Sequence, residues 1–276
     1  AETDQFQNCE RMEITMENKE VLFAEERQSR ILKLLKKEHK VLVPQLCELY
    51  GVSPATIRND LNDMESRGLL KRTHGGAILN TKMGFEQNVE QKLTRNSREK
   101  EAIAKIAAEY VEDGDAIAID TGTTTLAFAR CLTEKKNLTV ITNDLNIAAF
   151  LDAETDATVI LLGGMLRKKH HCTLGSMTLS CIQGLRVDKC FMATNGLTAQ
   201  HGLSTPDLNH AEVKRCLAAC GAQIIVLCDS EKIGQDVFVN VLPAEQADIL
   251  ITDSGADQAE LERFEQLGVE VRTAQI

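Results

Sequence analysis

The chain has 276 residues, 43% hydrophobic and 26% charged, with 31 Lys or Arg against 41 Asp or Glu for a net charge of −10. That length can bury one substantial core and one small one, no run of about 18 apolar residues is present to cross a bilayer, and the polar, acidic opening lacks the basic and apolar regions of a signal peptide. A cytoplasmic protein of two unequal domains is expected, its nine cysteines reduced thiols rather than a disulfide framework.

Residues 1–23 carry no clear pattern and are set aside as an N-terminal extension. Ile31, Leu34 and Leu35 mark a first amphipathic helix from about Glu25, and Val43 to Tyr50 a second, with Leu46 and Leu49 expected to face inward. Ser53 is a good N-cap and Pro54 suits the first helical position, so a third helix starts here after a turn at Gly51 and Val52. Ile57, Leu61 and Met64 fall on one face of it, which leaves Ala55, Thr56, Arg58, Asn59 and Asn62 on the sides and the opposite face. After Gly68, the stretch LLKRTHGGAIL reads as a hairpin around His74, Gly75 and Gly76.

Three short helices sharing a small core, followed by a hairpin, form a winged helix-turn-helix over residues 24–80. Residues 24–82 hold 11 Lys or Arg against 7 Asp or Glu, a net of +4 on an otherwise acidic chain. Phosphate attraction supplies most non-specific DNA affinity, so the segregated charge points to DNA binding through this module alone. The expected DNA-facing residues are Ser53, Ala55, Thr56, Arg58, Asn59, Arg72 and His74. The bland alternative is a small helical cap with solvated charges.

The region from AEERQSRILKLLKKE through VSPATIRNDL to HGGAIL closely resembles the N-terminal domain of the DeoR-type bacterial transcription regulators. The resemblance implies double-stranded operator DNA as a partner. One departure stands out: the family usually carries two arginines before Asp60, and here the second is Asn59. Asn can pair with adenine where Arg favours guanine or phosphate, so operator preference would shift if this residue reaches a base.

Residues 81–97 are polar and weakly patterned and read as a linker. From 98 to 276, apolar runs at Ala116 to Ile119, Leu138 to Ile141, Thr158 to Leu162, Cys190 to Ala193, Ile224 to Leu227, Ile249 to Ile251 and Val269 to Val271 alternate with helical patterns. Continuous rather than alternating runs indicate strands buried on both faces, hence an α/β domain with a mainly parallel sheet. Polar and glycine residues follow the runs: Asp120 with TGTTT, Thr142 and Asn143, Gly163 and Gly164, Asn195 and Gly196, then Asp229, Ser230 and Lys232. In an open parallel sheet, ligands bind outside the carboxyl ends of the strands, so these motifs should converge on one crevice. The Thr121 to Thr125 loop, with Gly122 for close backbone approach and exposed amides at a helix start, suits a phosphate, although such a loop is also a common helix cap.

Cys216 and Cys220 lie four apart on a helical pattern, and His170, His171 and Cys172 sit together in a loop. Neither set has a paired CxxC or HxxxH complement, and no metal or cofactor is assigned. Cys228, within QIIVLCD, reads as a core residue.

The pieces IDTGTTT, VITND, LLGG, LGS, VDKCFMATNG, HGLST and CDSEKIG resemble the DeoR effector domain, so the resemblance spans nearly all the chain beyond residue 23. It implies a fold similar to ribose-5-phosphate isomerase and coenzyme A transferases, and a phosphorylated sugar as effector. Carried over, the site would use Asp120, Gly122, Thr123, Thr124, Thr125, Asn143, Gly164, Asn195, Gly196, Lys214 and Lys232. Phosphate would sit on Thr123 to Thr125, while Asp120 and Asn195 would bond sugar hydroxyls. Each lysine reads equally well as a solvated amine, and Asp120 as a helix cap. Lys92 stands where relatives often have Arg, which weakens any bidentate contact there.

The rival class is an isomerase-like enzyme. It needs a positioned general base, and Glu212 and Asp207 are the available carboxylates without a paired acid. The expectation is a non-enzymatic repressor of a carbohydrate uptake or catabolic operon, relieved by a phosphorylated sugar, with a regulator activated by its effector as the alternative within the class. It would be a homodimer or homotetramer in which two reading helices meet two half-sites.

Overall fold

The computed structural model describes residues 22–38, 40–79 and 86–276. The chain divides between Lys82 and Met83 into two compact units.

In the first unit, helix α1 (Ala24–Glu38), strand β1 (Lys40–Leu42), helix α2 (Val43–Tyr50), helix α3 (Pro54–Ser66) and the strands β2 (Leu70–Thr73) and β3 (Gly76–Leu79) follow in order. Ser53 caps α3 by accepting from the Thr56 amide at 3.1 Å, and Pro54 occupies the first turn, as their residue types predict. Ile31, Leu35, Leu46, Ile57, Leu61 and Met64 are all fully buried in one cluster. Leu49 departs from the expected inward position and is 56% exposed. With Val43 and Leu46 buried on α2 and Cys47 and Tyr50 partly packed, the inward stripe passes to either side of Leu49.

The hairpin pairs Thr73 with Gly76 across a turn at His74 and Gly75, the latter at φ +94. Strand β1 adds to the far side of β3, giving the order β1-β3-β2. A Cβ on Gly76 would lie 2.1 Å from the Val41 carbonyl oxygen, so the third strand requires glycine there.

The second unit begins with material expected as linker. Helix α4 (Val89–Leu93) carries a reciprocal capping box between Asn88 and Gln91 and leads to helix α5 (Ser97–Glu109). The seven apolar runs form β4 (Ala116–Ile119), β5 (Thr139–Thr142), β6 (Thr158–Leu161), β9 (Val187–Ala193), β12 (Gly221–Leu227), β14 (Ile249–Asp253) and β15 (Glu270–Ala274), one sheet of order β15-β14-β12-β9-β4-β5-β6. Every pairing in it is parallel.

Alternate strand residues enter two cores. Ala118, Cys190, Met192, Val226 and Leu250 pack with helices α9 (Leu208–Cys220) and α10 (Gln258–Gln266) and with Ile182 of α8 (Ser176–Ile182). Ile117, Ile119, Phe191, Ile225 and Ile251 pack with α5, α6 (Thr123–Arg130) and α7 (Leu145–Glu154). Burial on both faces is why these strands read as continuous apolar runs. Chain order departs in opposite directions from β4 and β9, which are adjacent, so their carboxyl ends flank the topological switch point of the sheet.

Two small additions were not read from the sequence. Hairpin β7 (Met165–Arg167) and β8 (Cys172–Leu174) holds His170 and His171 in its turn, and β10 (Gly196–Thr198), β11 (Gly202–Thr205) and β13 (Val239–Leu242) form an antiparallel sheet. Among the described residues, no helix is long and apolar enough to cross a membrane.

Candidate functional site

In the first unit, Ser53, Ala55, Arg58, Asn59 and Asn62 are exposed and Thr56 is half-buried, all on or beside α3. Beneath them, Asp60 is buried and accepts from Arg27 Nε at 2.6 Å, Arg27 Nη2 at 3.1 Å and Gln28 Nε2 at 3.3 Å. That clamp ties α1 to the hidden side of α3 and leaves the opposite side to solvent. His74 is exposed at the hairpin tip. Arg72 turns back, donating through Nη1 to the Arg58 carbonyl at 3.2 Å and to Asn62 Oδ1 at 2.5 Å, so it braces α3 against the hairpin.

In the second unit, Asp120 stands at the end of β4, fully buried. Its Oδ2 pairs with Lys214 Nζ from α9 and accepts the Ala193 amide at 3.1 Å, which joins the ends of β4 and β9. Lys214 is 2% exposed and also donates to the Ala193 carbonyl at 2.8 Å. It is therefore neither a solvated amine nor a free counter-charge, and Asp120 is not a helix cap. Complete burial pushes the Asp120 carboxyl up from its ordinary range, against the opposing pull of Lys214.

Among the described residues, the second oxygen of Asp120 has no partner and lies 3.9 Å from His210 Nε2, which also has none. Burial, then the neighbouring Lys214 charge, holds His210 well below the usual imidazole range and therefore neutral. His210 Nδ1 lies 3.5 Å from Thr205 Oγ1, and that hydroxyl donates to Asn195 Oδ1 at 3.1 Å. With its one proton spent there, Thr205 accepts from Nδ1, which leaves Nε2 as a bare acceptor.

Gly122 lets the next loop come close, since a Cβ there would meet Ala193 Cβ at 2.8 Å. Thr123, Thr124 and Thr125 open α6 and are all buried. Thr125 donates to the Gly122 carbonyl at 3.0 Å, while Thr124 Oγ1 is buried without a partner. Asn143 donates through Nδ2 to the Thr173 carbonyl at 3.0 Å, and its Oδ1 has no partner. Asp144, given no role of its own in the sequence reading, caps α7 and accepts from Thr121 Oγ1 at 2.5 Å. Gly164 packs against α8, where a Cβ would lie 2.1 Å from Thr178 Oγ1. Gly196 begins β10 and is buried. Lys232 sits over Asp229 at 2.8 Å; burial works against its charge, but Asp229 more than offsets it and the ammonium is held above its ordinary range.

A second group of charges escaped the sequence reading. Glu86, its side chain 6% exposed, meets Lys92 Nζ at 2.5 Å, Arg167 Nη1 at 2.8 Å and Asn195 Nδ2 at 3.0 Å, with His170 Nδ1 at 3.9 Å. Burial disfavours its charge, yet Lys92 and Arg167 hold its carboxyl well below the usual range. Lys92 supplied the one sequence signal, as a departure from an expected Arg. Of the two carboxylates considered for catalysis, Asp207 caps α9 and lies 3.7 Å from Arg167, and Glu212 is exposed to solvent.

An exposed, capped reading helix with a β-wing, joined to a doubly wound sheet with buried polar side chains gathered at its switch point, is the make-up of a two-domain, ligand-responsive DNA-binding regulator. The model of the DeoR-like helix-turn-helix domain matches residues 27–83, and that of the DeoR C-terminal sensor domain matches residues 95–254. The chain is 36% identical to the HTH-type transcriptional regulator GolR of Listeria innocua over 254 residues, 92% of this chain and 100% of that one. It is 34% identical to the HTH-type transcriptional repressor GlcR of Bacillus subtilis, covering 91% and 96% of the two chains. It is 33% identical to the glycerol-3-phosphate regulon repressor of Escherichia coli, covering 83% and 90%. Among solved structures, ribose 5-phosphate isomerase A of Methanocaldococcus jannaschii matches 50% of this chain and 55% of its own at 18% identity and a TM-score of 0.38. The chain belongs to the DeoR family of transcription regulators.

Proposed function

We propose that this protein represses a carbohydrate uptake or catabolic operon and is relieved by a phosphorylated sugar bound at the carboxyl ends of β4, β5 and β9. The observation that carries the sensing half is chemical. Asp120 Oδ1, Asn143 Oδ1, Thr124 Oγ1 and His210 Nε2 are buried at those strand ends without partners among the described residues, and an unpartnered buried polar atom costs about 1–3 kcal/mol. Three of the four are acceptors, the complement of sugar hydroxyls, and the fourth is a hydroxyl that can play either part. The site comprises Asp120, Gly122, Thr123, Thr124, Thr125, Asn143, Gly164, Asn195 and Gly196. Lys214 orients Asp120, and Lys232 contributes field rather than contact. From the sequence, the phosphate goes to the first turn of α6, where Thr124 and Thr125 also stand beside the sugar-facing acceptors.

DNA contact is assigned to Ser53, Ala55, Thr56, Arg58, Asn59 and His74, with Arg72 as a brace. A repressor of this kind works in the cytoplasm as a homodimer or homotetramer, because two reading helices must meet two half-sites. Edge strand β6 supports self-association. Its Ile160 and Leu161 are exposed together with Met165 and Leu166 of the next hairpin, and an open apolar edge of this kind is covered in stable proteins.

The test is fluorescence anisotropy of labelled DNA from the operator region at fixed salt, with phosphorylated sugars and their unphosphorylated forms. Release by one phosphate ester alone is the expected result. Release by the unphosphorylated sugar, or by none of the panel, refutes the sensing half. The paired substitution Thr124→Ala with Thr125→Ala is expected to weaken that response and leave DNA binding without effector unchanged.

A further inference from the structure

The crevice holds two kinds of polar group. The atoms left without partners around Asp120 are mostly acceptors. The strongest donors, Lys92, Arg167 and the Asn195 amide, converge on one carboxylate. That carboxylate belongs to Glu86, which lies in an irregular stretch just before the capped start of α4 and just after the division between the two units. It belongs to no strand or helix, and its side chain is held by those polar contacts.

Asn195 links the two sets. Its Oδ1 accepts from Thr205, whose hydroxyl faces His210 beside the unpartnered oxygen of Asp120, while its Nδ2 donates to Glu86. An effector oxyanion seated where Glu86 sits would meet the Asn195 amide together with Lys92 and Arg167. If Glu86 left without replacement, Arg167 and Lys92, with side chains 18% and 23% exposed, would lose their shared anion in a largely buried place, which is strongly unfavourable. The group that takes its place must itself be an oxyanion, and Arg with Lys and a side-chain amide is a donor set suited to phosphate.

We propose that Glu86 is a tethered anion filling the phosphate seat of the effector site, and that the phosphate of the bound effector displaces it from Lys92, Arg167 and Asn195. The inference rests on the reading of the crevice as an effector site and moves the phosphate from the first turn of α6 to this cluster. It also gives the site an output. Displacing Glu86 frees the stretch that joins the sensor to the DNA-binding unit, so ligand occupancy and linker seating become mutually exclusive states of one equilibrium.

The test uses the full-length chain and inorganic phosphate as the probe. Glu86→Gln removes the competitor's charge and keeps its size. If Glu86 is seated more than about nine-tenths of the time, the apparent affinity of the wild type is reduced by the competent fraction, and E86Q should respond at about tenfold lower phosphate. Thermal unfolding across a phosphate titration reads the midpoint. Adding Arg167→Ala to E86Q should abolish the response, whereas Thr124→Ala with Thr125→Ala should preserve it. Equal midpoints in wild type and E86Q, or a response that survives R167A and is lost with the threonines, overturns the proposal. A sugar phosphate that binds wild type and E86Q equally well also overturns it but leaves the effector reading standing; binding of neither phosphate nor any sugar phosphate removes both. Hydrogen exchange on the wild type needs no variant: phosphate should speed exchange in the peptide carrying Glu86, and slowed or unchanged exchange refutes displacement.

Discussion

Each unit of this protein buries an ion pair, and the two pairs are built to different standards. In the DNA-binding unit, Asp60 accepts through both oxygens from Arg27 and Gln28, and Arg27 spends a further nitrogen on the Leu22 carbonyl at 2.9 Å. In the sensor unit, Asp120 uses one oxygen on Lys214 and the Ala193 amide and leaves the other without a partner, facing an equally unpartnered His210 nitrogen. Burial and charge are alike in the two; saturation is not. A buried pair with every atom engaged is a clamp, and one with atoms left over suits the proposed effector site.

The sharpest break of that comparison is Asp60→Ala. Removing one partner of a buried, fully bonded pair typically costs about 3–5 kcal/mol, and a unit this small has little more to lose. Urea unfolding should show the DNA-binding unit melting early with the sensor transition in place, and operator binding should vanish. A loss below about 1 kcal/mol would mean that the pair is not a clamp.

Lys214→Met should cost less, and its cost should depend on pH. Asp120 is already pushed above its ordinary value by burial, and removing the lysine pushes it further. A carboxyl raised in the folded state binds more protons than in the unfolded chain, so the variant is stabilised at low pH. That stability is lost as pH rises from about 4 through the folded value. The gap between variant and wild type should therefore widen between pH 5 and pH 8 in parallel urea titrations. A gap independent of pH would show that Asp120 stays ionised without its partner.

How far these features could be read in advance follows from the range of the interactions. The five inner strands of the large sheet were visible as apolar runs because they lie between two cores, the edge strands β6 and β15 were visible as apolar runs although their side chains are largely exposed, and α3 was visible because Ser53, Pro54 and its inward stripe are local signals. Asp120, Asn143 and Asn195 were found because strand ends in a parallel sheet converge by rule. Glu86, Arg167 and His210 were not, since only the folded topology brings a pre-helical stretch, a hairpin and α9 to one point. Lys214 was seen but left open between ligand and solvent, because a lysine's burial is a tertiary fact. Leu49 failed for a related reason: a helix of eight residues makes just over two turns, too few for its apolar spacing to single out one stripe, and packing chooses between them.

Arg58→Ala tests the exposed side of the comparison. The side chain lies on the open face of α3, so its loss should leave stability near the wild type while operator affinity falls by about 1–3 kcal/mol, roughly five- to 150-fold. Effector binding by the sensor unit should be unchanged in calorimetry. Undiminished operator affinity at physiological salt would take Arg58 off the interface.

The smallest expected effect separates two roles that Ser53 could fill. Its hydroxyl caps α3 through the Thr56 amide and lies 2.9 Å from Thr56 Oγ1, so Ser53→Ala should cost about 1 kcal/mol of stability in the DNA-binding unit, whereas glycine at the same N-cap costs only a few tenths. If Ser53 acts only as a cap, operator affinity follows that order, with the alanine variant weaker than the glycine one. If the hydroxyl also reaches a phosphate, both variants lose it and bind equally poorly. Denaturation and anisotropy on the same two variants decide between these roles, and equal affinity for all three proteins would exclude both.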